Sequence, residues 1–439
     1  MMGISGAGIS RPGSRARAKH RLAMRMIAAL VPLALMIGLQ PVIGPASTRA
    51  AQETAETLLN VEMPPALGET DLRVYIAATG HTLSGIMLEY WRATGGSSVF
   101  GNPISEPFGA SNGYYSQAFE RGIFQYRPDV LHTVEPIVRL MPLGLMALSD
   151  GIGSVRPDGR RAFGGGNPQV ETWGALAADA DAVTTALAAG GIYVEATGHT
   201  ISGEFLAWYE RHEGQFYLGN PLSEPMTERG QLVQWFESGM LVRESKDRVS
   251  LTPLPADLAA RIGFDTTRVP QNGLPIYSEA HFVDASTATG IGSLTAPGPK
   301  RIEVDLSEQR LWAYQGDSLV MSSLVTTGLS PNDTEQGQFR VRYKKPLEDM
   351  AGFTDATGEV VSVDVDPEQT PLDNAVGTYE VTDVPDVMYF NLDAEALHGA
   401  YWRDVFGSPG SHGCVNLPLD VAAFLYGWAP LGTPVWVHE

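Results

Sequence analysis

Strict alternation of apolar and polar residues marks the last third of the chain. Arg301-Ile302-Glu303-Val304-Asp305-Leu306 alternates, and Leu311-Trp312-Ala313-Tyr314-Gln315 follows a short polar break. Gln315-Gly316-Asp317-Ser318 then turns into an apolar run over 319–325. Further strands are predicted over 339–343, 377–381, 387–391 and 434–437, because β-branched and aromatic residues alternate there between turn signals. The pattern predicts a mainly β fold: over 300–439, a mostly antiparallel sandwich or open barrel. One short helix is predicted after Pro418, over 419–426. Residues 345–371 are acidic with few apolar positions, and read as a flap or long hairpin.

Upstream the period changes, and the chain repeats itself. Tyr75-Ile76-Ala77-Ala78-Thr79-Gly80-His81-Thr82 matches Tyr193-Val194-Glu195-Ala196-Thr197-Gly198-His199-Thr200. Gly101-Asn102-Pro103 and Ser105-Glu106-Pro107 match Gly219-Asn220-Pro221 and Ser223-Glu224-Pro225 at the same spacing. Gln117-Ala118-Phe119-Glu120 matches Gln234-Trp235-Phe236-Glu237. Each unit reads as a small α+β module: an extended entry, a helix, a Gly-Asn-Pro turn and an aromatic hairpin. The helices carry Ile86, Leu88, Tyr90 and Trp91 in one unit and Phe205, Leu206, Trp208 and Tyr209 in the other. At helical spacing such aromatics read as core before they read as sugar-stacking platforms. His81 and His199 read as capping or packing residues.

The expected organisation is a signal peptide over 1–51, a linker over 52–74, repeat units over 75–145 and 191–256, an insert over 146–190, a linker over 257–299 and a catalytic domain over 300–439. In the insert, residues 151–166 read as a loop, and the alanine-rich stretch 175–190 as a helix. Residues 265–299 hold Pro270, Gly273, Pro275, Pro297, Gly298 and Pro299, which predicts a flexible connector.

Residues 1–51 contain no acidic residue. Six basic residues from Arg11 to Arg25 precede an apolar run, and small residues surround Ala46 and Ala50. That is the pattern of a secretory signal peptide, with an uncleaved anchor as the alternative. Cleavage would leave no stable membrane span and an exported, extracytoplasmic protein. The formal net charge is −20, and losing this segment makes it more negative. So acidic a chain is a poor partner for nucleic acid or anionic lipid.

Cys414 is the only cysteine among 439 residues. In an exported protein it cannot form an intrachain disulfide, and it is flanked by His, Gly and Asn instead of an apolar run. A thiol attacks as thiolate, and a nearby imidazole can take its proton. His398 and His412 are the available imidazoles. Pro418 and the helix after it suggest that Cys414 sits at a helix entrance, where the macrodipole lowers a thiol pKa. The amides of Gly413 and Cys414 are candidate oxyanion donors.

His398-Gly399-Ala400-Tyr401-Trp402, Gly407-Ser408-Pro409-Gly410 and Ser411-His412-Gly413-Cys414-Val415-Asn416 together resemble the active-site segment of the L,D-transpeptidase family, with its YkuD-type domain. The opening strand pair 301–314 and Gly432-Thr433-Pro434-Val435 resemble that family's first and last strands. The repeat units resemble LGFP-type repeats of bacterial exported wall proteins. The resemblance implies acyl transfer on peptidoglycan stem peptides, with 3→3 cross-links made through a thioester on Cys414 and with no cofactor and no metal. It implies Cys414, His398, His412 and Gly413 as catalytic residues. It implies Tyr389, Gly399, Tyr401, Trp402, Ser411 and Asn416 around the substrate, the last two more as loop supports. A backbone carbonyl near Gly399 is the expected orienter of His398. Where the family has a Thr-Pro-x-Gly run, this chain has Thr334-Glu335-Gln336-Gly337.

Several alternatives compete. Hydrolysis by the same site would give an L,D-carboxypeptidase. An inactive domain would leave an exported wall-binding structural protein, and the repeats are candidates for wall-polymer contact in either case. A papain-like protease needs its cysteine upstream of its histidine, the reverse of the order here. A zinc site on His398, His412 and Cys414 lacks a fourth ligand at metal spacing.

Overall fold

The computed structural model describes residues 72–130, 133, 135–149, 152–155, 161–163, 178–246, 248–284, 291–362 and 375–439. The candidate signal peptide and the linker up to residue 71 lie outside the described residues. Among the described residues no helix is long and apolar enough to cross a membrane.

The first repeat opens with the hairpin β1 (Val74–Ile76) and β2 (His81–Leu83), followed by α1 (Gly85–Ala93) and α2 (Gly96–Val99). A four-stranded antiparallel sheet closes it: β3 (Phe108–Gly109), β4 (Tyr115–Phe119), β5 (Gly122–Tyr126) and β6 (Val138–Leu140). Then come α3 (Leu143–Ser149), the two-stranded β7 (Ile152–Val155) and β8 (Arg161–Phe163), and α4 (Ala180–Ala188). Strands thus occupy part of the stretch that reads as loop. They are too short to show a period, and their pairing decides them.

The second repeat has the same order: β9 (Ile192–Val194), β10 (His199–Ile201), α5 (Gly203–Arg211) and α6 (Gly214–Tyr217). Its sheet holds β11 (Met226–Glu228), β12 (Gln231–Phe236), β13 (Gly239–Ser245) and β14 (Arg248–Leu251), and α7 (Leu254–Ile262) ends it.

The repeated motif is a lock that holds each hairpin on its sheet. Glu106 accepts from the Thr82 N–H at 2.9 Å and from the Thr82 hydroxyl, and Gln117 Nε2 donates to the Thr82 carbonyl at 2.8 Å and to the Ser105 carbonyl at 3.0 Å. Glu224, Thr200 and Gln234 make the same set of bonds in the second unit. His81 and His199 are buried beside these carboxylates, Nδ1 to carboxylate oxygen 3.5 and 3.3 Å. A buried polar side chain must be partnered, so the motif specifies fold. Tyr90, Trp91, Phe205, Trp208 and Tyr209 are all buried. None of these helix aromatics offers a face to a sugar ring.

The last domain has two five-stranded sheets. One has the order β17 (Ser318–Leu324), β16 (Arg310–Gln315), β15 (Lys300–Asp305), β24 (Pro434–His438), β18 (Gly337–Arg340). Val304 and Leu311 face each other in register and are fully buried, as the alternation requires. The other has the order β20 (Val360–Ser362), β19 (Tyr343–Thr354), β21 (Gly377–Tyr389), β22 (Ala396–Gly399), β23 (Val415–Leu417). Most pairs are antiparallel, but β15–β24 and β22–β23 run parallel. The β19–β21 pair forms the long hairpin predicted near residue 345, and residues 363–374 of that stretch lie outside the described residues. The helix α8 (Leu419–Trp428) buries Val421, Ala422, Phe424, Leu425 and Trp428 and packs on β21 and β22.

The stretch with the composition of a flexible connector is pinned at both ends. Tyr75 N–H donates to the Pro275 carbonyl at 2.8 Å, and Tyr277 N–H donates to the Tyr75 carbonyl at 3.0 Å, so this segment lies parallel beside β1. Further on, Glu279 joins two buried cations. Arg92 Nη2 donates to it at 2.8 Å, and the Lys300 ammonium is also bonded to it. Arg92 reaches the Gly427 carbonyl at 2.9 Å and Lys300 the Trp428 carbonyl at 2.8 Å, both on α8. Arg340 beside β24 pairs with Glu213 of the second repeat at 2.8 Å. One apolar core runs from Val74 through Tyr217 to Val437. Pro and Gly content forecast flexibility here, but the chain around them is committed to specific backbone bonds.

The Glu279 carboxyl is held down to about 2; burial opposes ionisation, but Lys300 and Arg92 outweigh it. Its stabilisation is present above its ordinary value of 4.5 and is lost as pH falls through about 2. Glu279→Ala leaves buried Lys300 without its carboxylate and Arg92 with Glu89 alone, 3.7 Å away. The expected loss is about 3–5 kcal/mol, read as a fall in the chemical denaturation midpoint. An unchanged midpoint would show that the junction is not energetically coupled.

Candidate active site

Cys414 does not sit at a helix entrance. The strand β23 intervenes, with Leu397 opposite Val415 and His398 opposite Asn416 on β22. Leu397, Val415 and Leu417 point into the main core. Ala396, Val384, Val387, Tyr389 and Cys414 pack together in a separate cluster on the opposite face. Alternation puts His398 on the face of Ala396, hence on the side of the thiol. The two parallel strands thus bring the histidine and the cysteine into one site.

The loop before β23 is stitched to the segment after β17. Gly410 and Ser411 N–H groups donate to the Thr327 carbonyl at 2.8 and 3.0 Å, and the Leu329 N–H donates to the Ser411 carbonyl at 3.0 Å. Thr326 and Asn416 exchange backbone bonds of 3.1 and 2.8 Å. Ser411 Oγ donates to the Cys414 carbonyl at 2.5 Å and accepts from the Gly413 N–H at 3.3 Å. Ser411 and buried Asn416 therefore hold the loop. Gly413 has φ +115°, and a Cβ there would stand 3.0 Å from Glu395 Oε1. The positive φ favours glycine, and any Cβ there would push the Glu395 carboxylate aside by a few tenths of an ångström.

His398 is buried, with Nδ1 3.1 Å from the Gly399 carbonyl. With that carbonyl accepting from Nδ1–H, Nε2 is the free base. Burial pushes its pKa from 6.5 down to about 4, against the Gly399 bond. The imidazole is neutral at pH 7. Burial likewise pushes the thiol up to about 12; a backbone hydrogen bond from Ala396 pulls the other way, and Glu395 adds repulsion. The helix-entrance argument predicts a lowered thiol pKa, and burial reverses the direction. The resting pair is thus a neutral thiol and a neutral imidazole. Alkylation by iodoacetamide is expected to keep accelerating above pH 9; a plateau near pH 7 would contradict this ionisation state.

The other residues singled out in the sequence surround this pair. Trp402, 42% exposed, lies with its ring 5.8 Å from His398 and edge-on to Tyr401 at 4.8 Å. Tyr401 is 51% exposed, and its hydroxyl donates to the Thr382 carbonyl at 2.8 Å. Tyr389 donates to Glu348 at 2.9 Å. His412 is exposed and stacks on Tyr379 at 4.8 Å and 7°. Three participants escape a sequence reading. Thr334 Oγ1 accepts from the Gly328 N–H and donates to the Gly413 carbonyl, 2.8 and 2.7 Å. Glu395 accepts from the Glu335 N–H and from Asn391, and burial raises its pKa to about 7. Tyr379 walls the His412 side. Thr334 lies where the family run is altered, which was the one available signal. Among the described residues no cluster of three or more His, Cys, Asp or Glu is placed to hold a metal.

A buried imidazole held by the carbonyl of the next residue thus lies on the same sheet face as the thiol that immediately precedes β23. Residues 299–437 match the YkuD family model, the L,D-transpeptidase catalytic domain. Solved structures similar to this part of the chain include an L,D-transpeptidase from Mycobacterium smegmatis, 21% identical, covering 32% of this chain and 60% of that one, TM-score 0.26. The catalytic domain of the E. faecium L,D-transpeptidase is 27% identical over 31% of this chain and 95% of that one, TM-score 0.26. L,D-transpeptidase 3 from Mycobacterium tuberculosis is 19% identical over 32% of this chain and 61% of that one, TM-score 0.26. The chain thus spans about three fifths of the length of the two mycobacterial proteins. No curated protein matches the chain.

Proposed function

We propose that the YkuD domain is a peptidoglycan L,D-transpeptidase that works through a Cys414 thioester. His398 Nε2 takes the thiol proton as Sγ attacks the carbonyl of the third stem residue. The S–C bond forms, the C–N bond to the terminal D-alanine breaks, and the imidazolium returns the proton to the departing amine. A side-chain amine of a second stem then attacks the thioester, a 3→3 amide forms and the thiol is released. The Gly413 N–H, held by Ser411 at a long 3.3 Å, is free to turn to the oxyanion together with the Cys414 N–H. The observation that carries this reading is His398, neutral and oriented by Gly399 on the face of the only thiol.

Such a substrate places the protein outside the cytoplasm, in accord with the basic and apolar segment before residue 52. The LGFP-like repeats would then contact wall polymer through surfaces other than their buried helix aromatics.

The test is incubation of the full chain with disaccharide-tetrapeptide and mass analysis. Cross-linked dimer with released D-alanine is expected. Tripeptide alone would establish the carboxypeptidase reading. Neither product, with no mass shift from a carbapenem, would leave a wall-binding protein.

A further inference from the structure

The two repeats differ in one respect that their shared motif does not explain. In the first, the hairpin β1–β2 carries a peptide clasp supplied by the chain itself. Tyr75 exchanges backbone bonds with Pro275 and Tyr277, and its hydroxyl donates to the Val269 carbonyl at 3.2 Å. Val269 N–H donates to the Gly80 carbonyl at 2.9 Å, and Arg268 Nη2 donates to the Ala77 carbonyl at 3.1 Å. The Arg268 side chain fills the space over Gly80, its Nε 2.5 Å from where a Cβ would stand.

In the second repeat every receiving group is in place and none of the described residues occupies it. Tyr193 opposes Thr200 as Tyr75 opposes Thr82, so its backbone N–H and carbonyl point away from β10. Gly198 keeps the left-handed turn of Gly80, φ +72° against +77°. The atom nearest a Cβ there is the Tyr193 hydroxyl at 3.8 Å. Apolar cover is missing too: Val74 is 0% exposed but its counterpart Ile192 is 42%, and Tyr193 is 52%. Glu195, exposed, replaces Ala77 beside the place that Arg268 takes in the first repeat.

We propose that the β9 edge of the second repeat is a binding site for an extended peptide segment of another exported protein. The first repeat specifies its chemistry: a basic residue, then a short turn, then an apolar Pro-x-Tyr strand running parallel to β9. Tyr193 supplies the two backbone bonds, Gly198 the seat of the basic side chain, and Glu195 a carboxylate beside it. This is strand addition to an open edge, where main-chain bonds give affinity and side-chain seats give specificity. It is independent of the acyl-transfer site.

The probe is a fluorescein-labelled peptide with the sequence of residues 267–279, titrated into the full chain by anisotropy. Saturable binding is expected, weakened at least ~10-fold by Tyr193→Pro, which removes the outward N–H and leaves the β9–β10 ladder intact. Glu195→Lys is expected to weaken it as well, which keeps the test decisive should the proline variant fold poorly. A photo-crosslinker at the Ile276 position is expected to label residues 192–199. No saturation, equal affinity in both variants, or labelling confined to residues 74–80 by exchange with the native clasp would each overturn the proposal.

Discussion

Replacing Cys414 with alanine is expected to reduce D-alanine release and cross-linking to background, a loss on the order of 10⁶-fold. In the proposed route the thiol carries the acyl group, and it lies on the face of Ala396 and His398. The substitution removes one sulfur and breaks no ladder bond of β22 and β23, so the thermal midpoint is expected to hold. Cys414→Ser places there a hydroxyl, a far weaker acid than a thiol, that an imidazole with its pKa held near 4 deprotonates poorly, and it is expected to be equally inactive. Turnover by the alanine variant above one part in ~10³ would exclude the thioester route.

The second large effect belongs to His398. His398→Ala is expected to cost on the order of 10²-fold or more in kcat. The pH profile is the sharper measurement. With the imidazole pKa held near 4, its neutral form persists as pH falls through 6.5, and kcat/KM is expected to decline only as pH approaches about 4. An acid limb near 6.5 would mean a solvated histidine and would contradict the buried base. His412→Ala is expected to cost less than His398→Ala, since His412 stacks on Tyr379 outside the buried pair.

What the sequence reveals depends on how local the determining contacts are. Alternation over 301–305 and 311–315 is enough to place β15 and β16, because each strand carries its own burial pattern. Self-similarity is enough to find the two repeats and to read His81 and His199 as packing residues. The Ser-His-Gly-Cys motif singles out the thiol, but not its ionisation. Val415-Asn416-Leu417 is too short to declare itself a strand, and its partner β22 is remote in sequence, so the thiol looks closer to α8 than it is. No local pattern announces that Lys300 is buried: Glu279 and the end of α8 converge on it from elsewhere in the chain. Glu395 is invisible in the same way: its pressure on Gly413 comes from a neighbouring loop.

The junction around Glu279 bears on how the protein can be processed. Phe282 presses its carbonyl against α8 closely enough that a Cβ at Gly427 would lie 2.0 Å away, and Arg92 covers Phe282 at 3.7 Å. A protease that severed residues 266–299 would not release a self-sufficient enzyme. The excised piece would carry Lys300 without its carboxylate and α8 without its cover, a freshly bared apolar surface prone to self-association. Trimming that spares the catalytic centre therefore has to fall upstream of Val74, where the shared core begins.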